Sequence, residues 1–395
     1  MISADDLTAR LRGLDGVGVG TDGAVNRLAW TDEDAACREW FAAQAQSVGL
    51  RPAIDPAGNL WACPDADPPW WGVGSHLDSV RSGGRFDGPL GVACGFEIAA
   101  ASAHPVAVID FADEEGARFN TPTFGSKALA GRLDIAAVLE RRDEAGTTVR
   151  DAMTSAGVDP ARIAEAPAWL PKLRGFFEIH IDQTTELARA GASVAVVRDL
   201  VDRLRLEAEL CGRADHAGTT PRAERRDALA AAARLIVAAE ELSEQYARLT
   251  VTTARIVARP NAPTTIAARV RLWIDARSPR RADIEAWHQQ LREWTRQLTD
   301  QTGVVARLSV ASQSHGVEFD AQLRAGLRTA ARTITGENPP EVPCFAGHDA
   351  GVLAERVPAA MVFVRNATGV SHAPDEEIDL ADAALAAEVV ARALQ

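Results

Sequence analysis

Apolar positions recur along the chain with two periods, and the switching between them divides it into parts. Leu7, Leu11 and Leu14 are spaced as on one helix face, which predicts a helix from Ala4 to about Gly20. Ala36, Trp40, Ala43 and Val48 predict a second over 32–48. Short buried runs follow at 70–74 and 106–111, with an apolar helical stretch from Gly91 to Ala103 between them. A strand, a helix and a strand in that order predict a layered α/β domain. The polar run Ala112-Asp113-Glu114-Glu115-Gly116 then falls at a strand's carboxyl end, where open α/β sheets place their ligand sites.

The middle of the chain changes character. From Arg203 to Gly212, Leu204, Leu206, Ala208 and Leu210 alternate with Arg205, Glu207 and Glu209, the signature of a half-solvated strand. An Ala-rich helix is predicted over 222–242, then alternating strands over 249–258 and 266–276. Ile284, Trp287, Leu291, Trp294 and Leu298 mark an amphipathic helix before a last strand over 304–310. The order β-α-β-β-α-β is that of a ferredoxin-like unit inserted in the larger domain. Helix 322–334, strand 360–364 and a terminal Ala-rich helix complete the outer domain. The expected division is therefore 1–201 with 312–395, and 202–311.

Composition narrows the partners. At 395 residues the chain has room for two or three domains, and 42 basic against 55 acidic side chains leave a net charge of −13. Without a basic stripe, nucleic acid and membrane surfaces are not expected partners, and small molecules remain. The start Met1-Ile2-Ser3-Ala4-Asp5-Asp6 has no apolar core of a secretory signal, and no apolar run reaches about 18 residues. A cytoplasmic location is expected. Five cysteines, never in a C-x-x-C pair, argue against both a disulfide framework and a thiolate zinc cluster.

Candidate chemistry lies with the histidines and their acidic neighbours. His76 follows a predicted strand in Gly74-Ser75-His76-Leu77-Asp78, a His-x-Asp step that lets a carboxylate fix the imidazole tautomer. Asp87 sits among glycines that allow a tight turn back towards the same point. Glu114 and Glu115 are adjacent like charges, which need a cation or solvent for relief. His180 lies in Phe176-Phe177-Glu178-Ile179-His180, where a satisfied core histidine is the plainer reading, and His372 follows a strand and a glycine turn. Imidazole and carboxylate hold zinc or manganese, and His76, Asp87, Glu115, His180 and His372 would serve two metals sharing one bridging carboxylate.

The runs GSHLDSVRSGGRFDGPLGV, DEEGARF, FEIHIDQ, GRADHAGTTPRAERRDAL, AGHDAG and GVSHAPDE resemble the N-carbamoyl-L-amino-acid hydrolase, allantoate amidohydrolase and β-ureidopropionase family. These are the amidases of the dinuclear zinc exopeptidases, and the similarity spans nearly the whole chain in order. The resemblance implies a catalytic α/β domain of mixed sheet flanked by helices, with an inserted lid that mediates homodimerisation. It implies two divalent ions per subunit (zinc, manganese, cobalt or nickel), one on His76, Asp87 and His180, the other on Asp87, Glu115 and His372. Glu114 would be the general base, with Asp78 orienting His76. His216 would come from the partner's lid to stabilise the oxyanion, Arg277 would grip a substrate carboxylate, and Gln183 and His348 would line the site.

Two positions depart from that pattern. Where relatives carry a substrate-contacting Asn this chain has Thr264, with Asn261 three residues earlier, and a glycine after the ligand histidine has become Thr184. The expected reaction is hydrolysis of a carboxylate-bearing N-carbamoyl amino acid. N-acyl-amino-acid or dipeptide hydrolysis at the same site is the alternative, as is an inactive metal-binding homologue. His104 and His288 read as surface residues, His315 has no assigned role, and Trp70-Trp71 read as packing.

Overall fold

The computed structural model describes residues 2–395, which fall into two compact units. The first comprises the described residues up to Arg198, with Glu318–Val342 and Gly347–Gln395; the second comprises Asp199–Val317 with the short return Pro343–Ala346.

The first unit is built on a mixed sheet. Its strands are β1 (Arg51–Ile54), β2 (Leu60–Cys63), β3 (Trp70–Ser75), β4 (Val106–Asp110), β5 (Leu173–Ile181) and β6 (Val194–Leu200). Those of the second unit are β7 (Asp202–Cys211), β8 (Thr250–Arg259), β9 (Arg269–Ser278) and β10 (Val305–Ser314). After them the chain adds β11 (Val317–Glu318), β12 (Glu341–Cys344) and β13 (Ala359–Val364) to the first sheet. That sheet runs β1-β2-β4-β3-β5-β13-β6-β11. Its centre, β4-β3-β5-β13, is parallel, and β1, β2 and β6 pair antiparallel. Helices Ala4–Leu11, Pro89–Ala101, Ala321–Thr335 and Leu380–Ala393 supply one core, where Leu7, Leu90, Leu327 and Val390 meet Val73, Ile179 and Val362 of the sheet. Each such side chain contributes about 1.5–3 kcal/mol by leaving water.

Several elements differ from the sequence expectation for local reasons. The first helix stops at Leu11 and tightens into a 3-10 turn over Arg12–Leu14, short of Gly20. Gly13 lies in that turn, so close to the Trp40 indole that a Cβ would stand 2.5 Å from its Nε1. The helix expected from Arg222 starts at Ala228, since Pro221 opens only a 3-10 turn and Asp227 caps the backbone N–H groups of Leu229 and Ala230. β5 is a full central strand. Buried on both faces, it reads as an apolar run that Glu178 and His180 interrupt.

In the second unit the antiparallel order is β10-β7-β9-β8, the split β-α-β order, with helices Ala228–Glu241 and Arg281–Thr302 against one face. Leu206, Leu210, Leu272 and Ile274 pack there with Leu235, Trp287 and Leu291. The Trp287 indole N–H donates to Ala239 O at 2.9 Å, which satisfies the one polar atom that this ring buries. β10 runs on to Ser314, past the expected end at Val310. Among the described residues no cysteine forms a disulfide, and no helix is long and apolar enough to cross a membrane.

Candidate active site

Four loops at the carboxyl ends of β3, β4, β5 and β13 bring acidic and imidazole groups to one place. His76 lies just after β3, under the turn that ends in Gly88. That glycine has φ +86°, and a Cβ on it would stand 2.5 Å from the His76 ring, so only glycine lets Asp87 fold back over the histidine. His76 Nδ1 is 3.0 Å from the Asp78 carbonyl oxygen and 3.6 Å from its carboxylate, so the main chain is the nearer orienting group. The Asp78 carboxylate instead accepts the backbone N–H groups of Glu114 and Glu115, each at 3.1 Å. Its place is beneath the two glutamates rather than only behind the histidine.

Asp87 is the hub. Its Oδ1 lies 3.1 Å from His180 Nε2 and 3.5 Å from His76 Nε2, and its Oδ2 lies 3.5 Å from His372 Nε2. His372 is in turn 3.4 Å from Glu115, and Glu114 is 3.8 Å from His76 Nε2. Ligand atoms of His76, Asp87 and His180 converge within metal-binding distance of one another, as do those of Asp87, Glu115 and His372. The two triads share only Asp87. His180 Nδ1 faces the Ile181 carbonyl at 3.1 Å, and its buried Nε2, although close to Asp87, is not aligned for a hydrogen bond. A buried ring nitrogen aimed without a hydrogen bond at a carboxylate, with three more carboxylates beside it, is the donor set that divalent cations take.

The electrostatics agree. Burial, and then neighbouring charges that include Asp349 and Glu115, pushes Glu114 well above the usual carboxylate range. Burial and Asp87 push Glu115 up to about 8. Burial works against charge on His76, but its bond to Asp87 and the carboxylates of Glu114 and Asp78 outweigh it and hold the imidazole well above its ordinary value. Carboxyls and an imidazole that all hold their protons more tightly than usual are what an excess of buried negative charge produces when only protons balance it.

The remaining expected residues are placed less simply. Gln183 donates its amide to Asp87 Oδ2 at 2.9 Å, beside the Ser371 hydroxyl at 2.8 Å, so it touches the hub carboxylate. The Thr184 hydroxyl turns to Asp182 at 2.7 Å. His348 packs edge-on against His180, ring centroids 4.4 Å apart; both nitrogens are buried without hydrogen bonds, Nδ1 lies 3.9 Å from Glu178, and burial and His180 hold its proton affinity well below the ordinary value.

His216, Asn261, Thr264 and Arg277 all lie on the second unit. His216 is exposed, and its Nδ1 accepts the N–H groups of Gly218 and Thr219, each at 3.0 Å. The proton is thereby left on Nε2. Thr264 accepts the Ala217 N–H through its carbonyl, so it sits with His216 ahead of β9. Arg277 is near the far end of β9, bound to Asp275 and to the Phe345 carbonyl. At about 3.3 Å per residue, Arg277 and the start of β9 are roughly 26 Å apart, so within one chain Arg277 does not converge with Asn261 and Thr264 as a single substrate shell would need.

Three residues escaped sequence reasoning. Glu178, wholly buried on β5, accepts from Ser75 Oγ and Ala350 N, each at 2.8 Å, and together with His180 and His348 forms a further possible ligand group. Asp349 is buried beside it with both oxygens lacking hydrogen bonds. Glu376 accepts the N–H groups of Phe86 and Asp87 at 2.7 and 2.9 Å. Each stood inside a quoted motif, but only tertiary pairing reveals what it holds.

A family model described as peptidase family M20/M25/M40 matches residues 72–395. An N-carbamoyl-L-amino acid amidohydrolase of Geobacillus stearothermophilus is 34% identical, over 99% of this chain and 97% of its own. An allantoate amidohydrolase of Bacillus subtilis is 30% identical, over 91% and 90%. The crystal structure of a hydantoinase/carbamoylase family amidase from Burkholderia multivorans superposes with a TM-score of 0.87 at 29% identity, over 100% of this chain and 97% of that one.

Proposed function

The chain belongs to peptidase family M20/M25/M40 and, within it, to the hydantoinase/carbamoylase-type amidases, and from that premise we propose that it hydrolyses the C–N bond of an N-carbamoyl amino acid or related ureido acid. The observation that carries the reading is Asp87, whose two oxygens face two different ligand sets with Glu114 alongside. His76, Asp87 and His180 would hold one divalent ion, and Asp87, Glu115 and His372 a second. When bound, such ions polarise the scissile carbonyl and make water acidic enough to attack it near neutral pH.

The chain's own residues do the rest. Glu114 takes a proton from the attacking water and returns it to the departing nitrogen; its raised proton affinity suits both halves of that transfer. Asp78 fixes the peptides of both glutamates. Gln183 and Ser371 steady Asp87, and His348 covers His180 as a neutral ring. Arg277 receives the substrate carboxylate as a planar fork. His216, its proton on Nε2, supplies a donor to the developing oxyanion.

Arg277 near the end of β9 and His216 ahead of its start are too far apart to meet one small substrate from the same chain. That separation supports a homodimer in which His216 of the partner subunit serves each site. The products of ureido cleavage are the free amino acid, ammonia and carbon dioxide. Protein loaded with manganese, cobalt or zinc is therefore expected to release ammonia from at least one member of a panel of ureido acids and allantoate. Cleavage of N-acyl amino acids or dipeptides alone would assign the site to the other amide class, and no turnover of any of them would refute the reading.

A further inference from the structure

The second unit carries an unbalanced charge pattern on the sheet face turned away from its two helices. There β7 presents Arg203, Arg205, Glu207 and Glu209, and β9 presents Arg269, Arg271, Trp273, Asp275 and Arg277. On the two central strands the other arginines each have a carboxylate: Arg269 pairs with Glu209, Arg271 with Glu207, and Arg205 with Asp275 at 2.9 Å, whereas Arg255 and Arg259 of β8 and Arg307 of β10, on the same face, are exposed to water. The pattern breaks at the end of the row. Arg203 and Arg277 stand directly opposite each other in the strand register. Arg277 must share Asp275 with Arg205. Among the described residues Arg203 has no ion pair, and its Nε is shielded from solvent without any acceptor.

Three guanidiniums thus crowd a corner that holds one carboxylate, and Arg205 and Arg277 already occupy it. Like charges directly opposite across two strands destabilise a sheet, and a dry N–H without an acceptor adds to the cost. The next strands bring hydroxyls to the same corner: Ser314 of β10 is the register partner of Arg203, and Thr250 of β8 that of Arg277. The corner offers donors and positive charge, and an oxyanion is what relieves both. A guanidinium fork matches a carboxylate in plane and spacing.

We propose that Arg203, beside Arg277, binds a second carboxylate, and that the enzyme selects ureido derivatives of dicarboxylic amino acids of the aspartate and glutamate type. This rests on the reading above in which Arg277 binds the substrate's α-carboxylate. Directly opposite residues have Cα atoms only about 4.5–5.5 Å apart, so the two forks can reach both ends of one short dicarboxylate.

The test compares N-carbamoyl-L-aspartate and N-carbamoyl-L-glutamate with N-carbamoyl-L-alanine and N-carbamoyl-L-methionine on the metal-loaded enzyme, alongside calorimetric binding of N-carbamoyl-L-aspartate. The native enzyme should favour the dicarboxylates in kcat/KM. Arg203→Ala should lower that preference about tenfold or more, mainly through KM, and Arg203→Lys should recover part of it by keeping the charge. A preference unchanged in Arg203→Ala, or native activity confined to the neutral substrates, overturns the proposal while leaving the amidase reading intact. If no ureido acid is turned over, the amidase reading fails. Binding of N-carbamoyl-L-aspartate that weakens in Arg203→Ala would then still uphold the corner, and absence of such binding would overturn it too.

Discussion

Glu376 Oε1 accepts the backbone N–H of Asp87 at 2.9 Å across 289 residues of sequence, and so ties the loop that carries His372 to the loop that carries the hub carboxylate. The same oxygen takes the Phe86 N–H, and a Cβ on Gly84 would stand 2.4 Å from the Glu376 carboxyl carbon. Both loops carry candidate ligands, so their relative position sets the distance between the two groups that meet at Asp87.

Removing that tie should loosen metal binding before it harms folding. Glu376→Ala is expected to weaken divalent-ion affinity by about 10–100-fold, the usual cost of losing a group that orients a ligand, as read by competition with a chelating dye. Glu376→Gln keeps an oxygen that accepts both N–H groups and should retain most of the affinity. Equal losses in the two variants would mean that the charge of Glu376, not its two hydrogen bonds, is what counts.

Glu114 touches His76 but belongs to neither triad that contains Asp87. Glu114→Gln should therefore lower kcat by roughly 10²–10⁴-fold, the range of a lost general acid-base group, while metal content measured after dialysis stays near that of the native protein. Undiminished turnover would remove Glu114 from the reaction.

The pH dependence of the metal-free protein follows from groups whose proton affinity rises on folding. Glu115 moves up to about 8 and Glu376 up to about 7, both chiefly through burial, and His76 is held above its ordinary value. In each case the folded state keeps protons that the unfolded chain has released, so stability falls as pH rises, from about 4.3 for the carboxyls and about 6.5 for the imidazole. Asp87, which is pulled below the usual carboxylate range, acts only in more acidic solution. Melting temperatures without metal should thus drop between pH 6 and 8. Added manganese should raise them more at pH 8, and a gain that is larger at pH 6 would contradict the assignment.

The proposal that each site draws on two chains has a mixing test. Arg277→Ala and His216→Ala should each be nearly inactive as homodimers. Dissociated together and allowed to re-pair, they should recover roughly a quarter of native activity, because half of the dimers are mixed and each contains one intact site. No recovery, or a monomer by light scattering with full activity, would place both residues in one chain's site or outside it.

Four of the candidate ligands, His76, Asp87, Glu115 and His372, were legible because they stand near glycines at strand ends, where a loop reading and a polar motif coincide, whereas His180 lies inside β5. His76, Asp87, Glu115, His180 and His372 come together around one carboxylate. Glu376 was not legible, since its partners are backbone N–H groups that no side-chain pattern announces. Nor was β5, because the polar residues that line the site are the ones that spoil its strand signal. The second unit was read more easily: one face of each strand is wet, so Leu204 to Leu210 alternate plainly. What alternation could not show is which charges on the wet face lack a partner, and Arg203 emerged only from the register.

The interleaving of the two units also sets an order of synthesis. β5 pairs in parallel with β13, and the whole of Asp202–Ser314 is made between them. At about 5–20 residues per second, the roughly 180 intervening residues take on the order of 10–40 s to emerge. During that interval the second unit can close on its own antiparallel ladder, whereas β5 waits with an open edge and His180 stands without His348 or His372. The acidic centre is therefore among the last features of the nascent chain to form, and a ribosome that stalls before β13 leaves an exposed apolar strand for chaperones to cover.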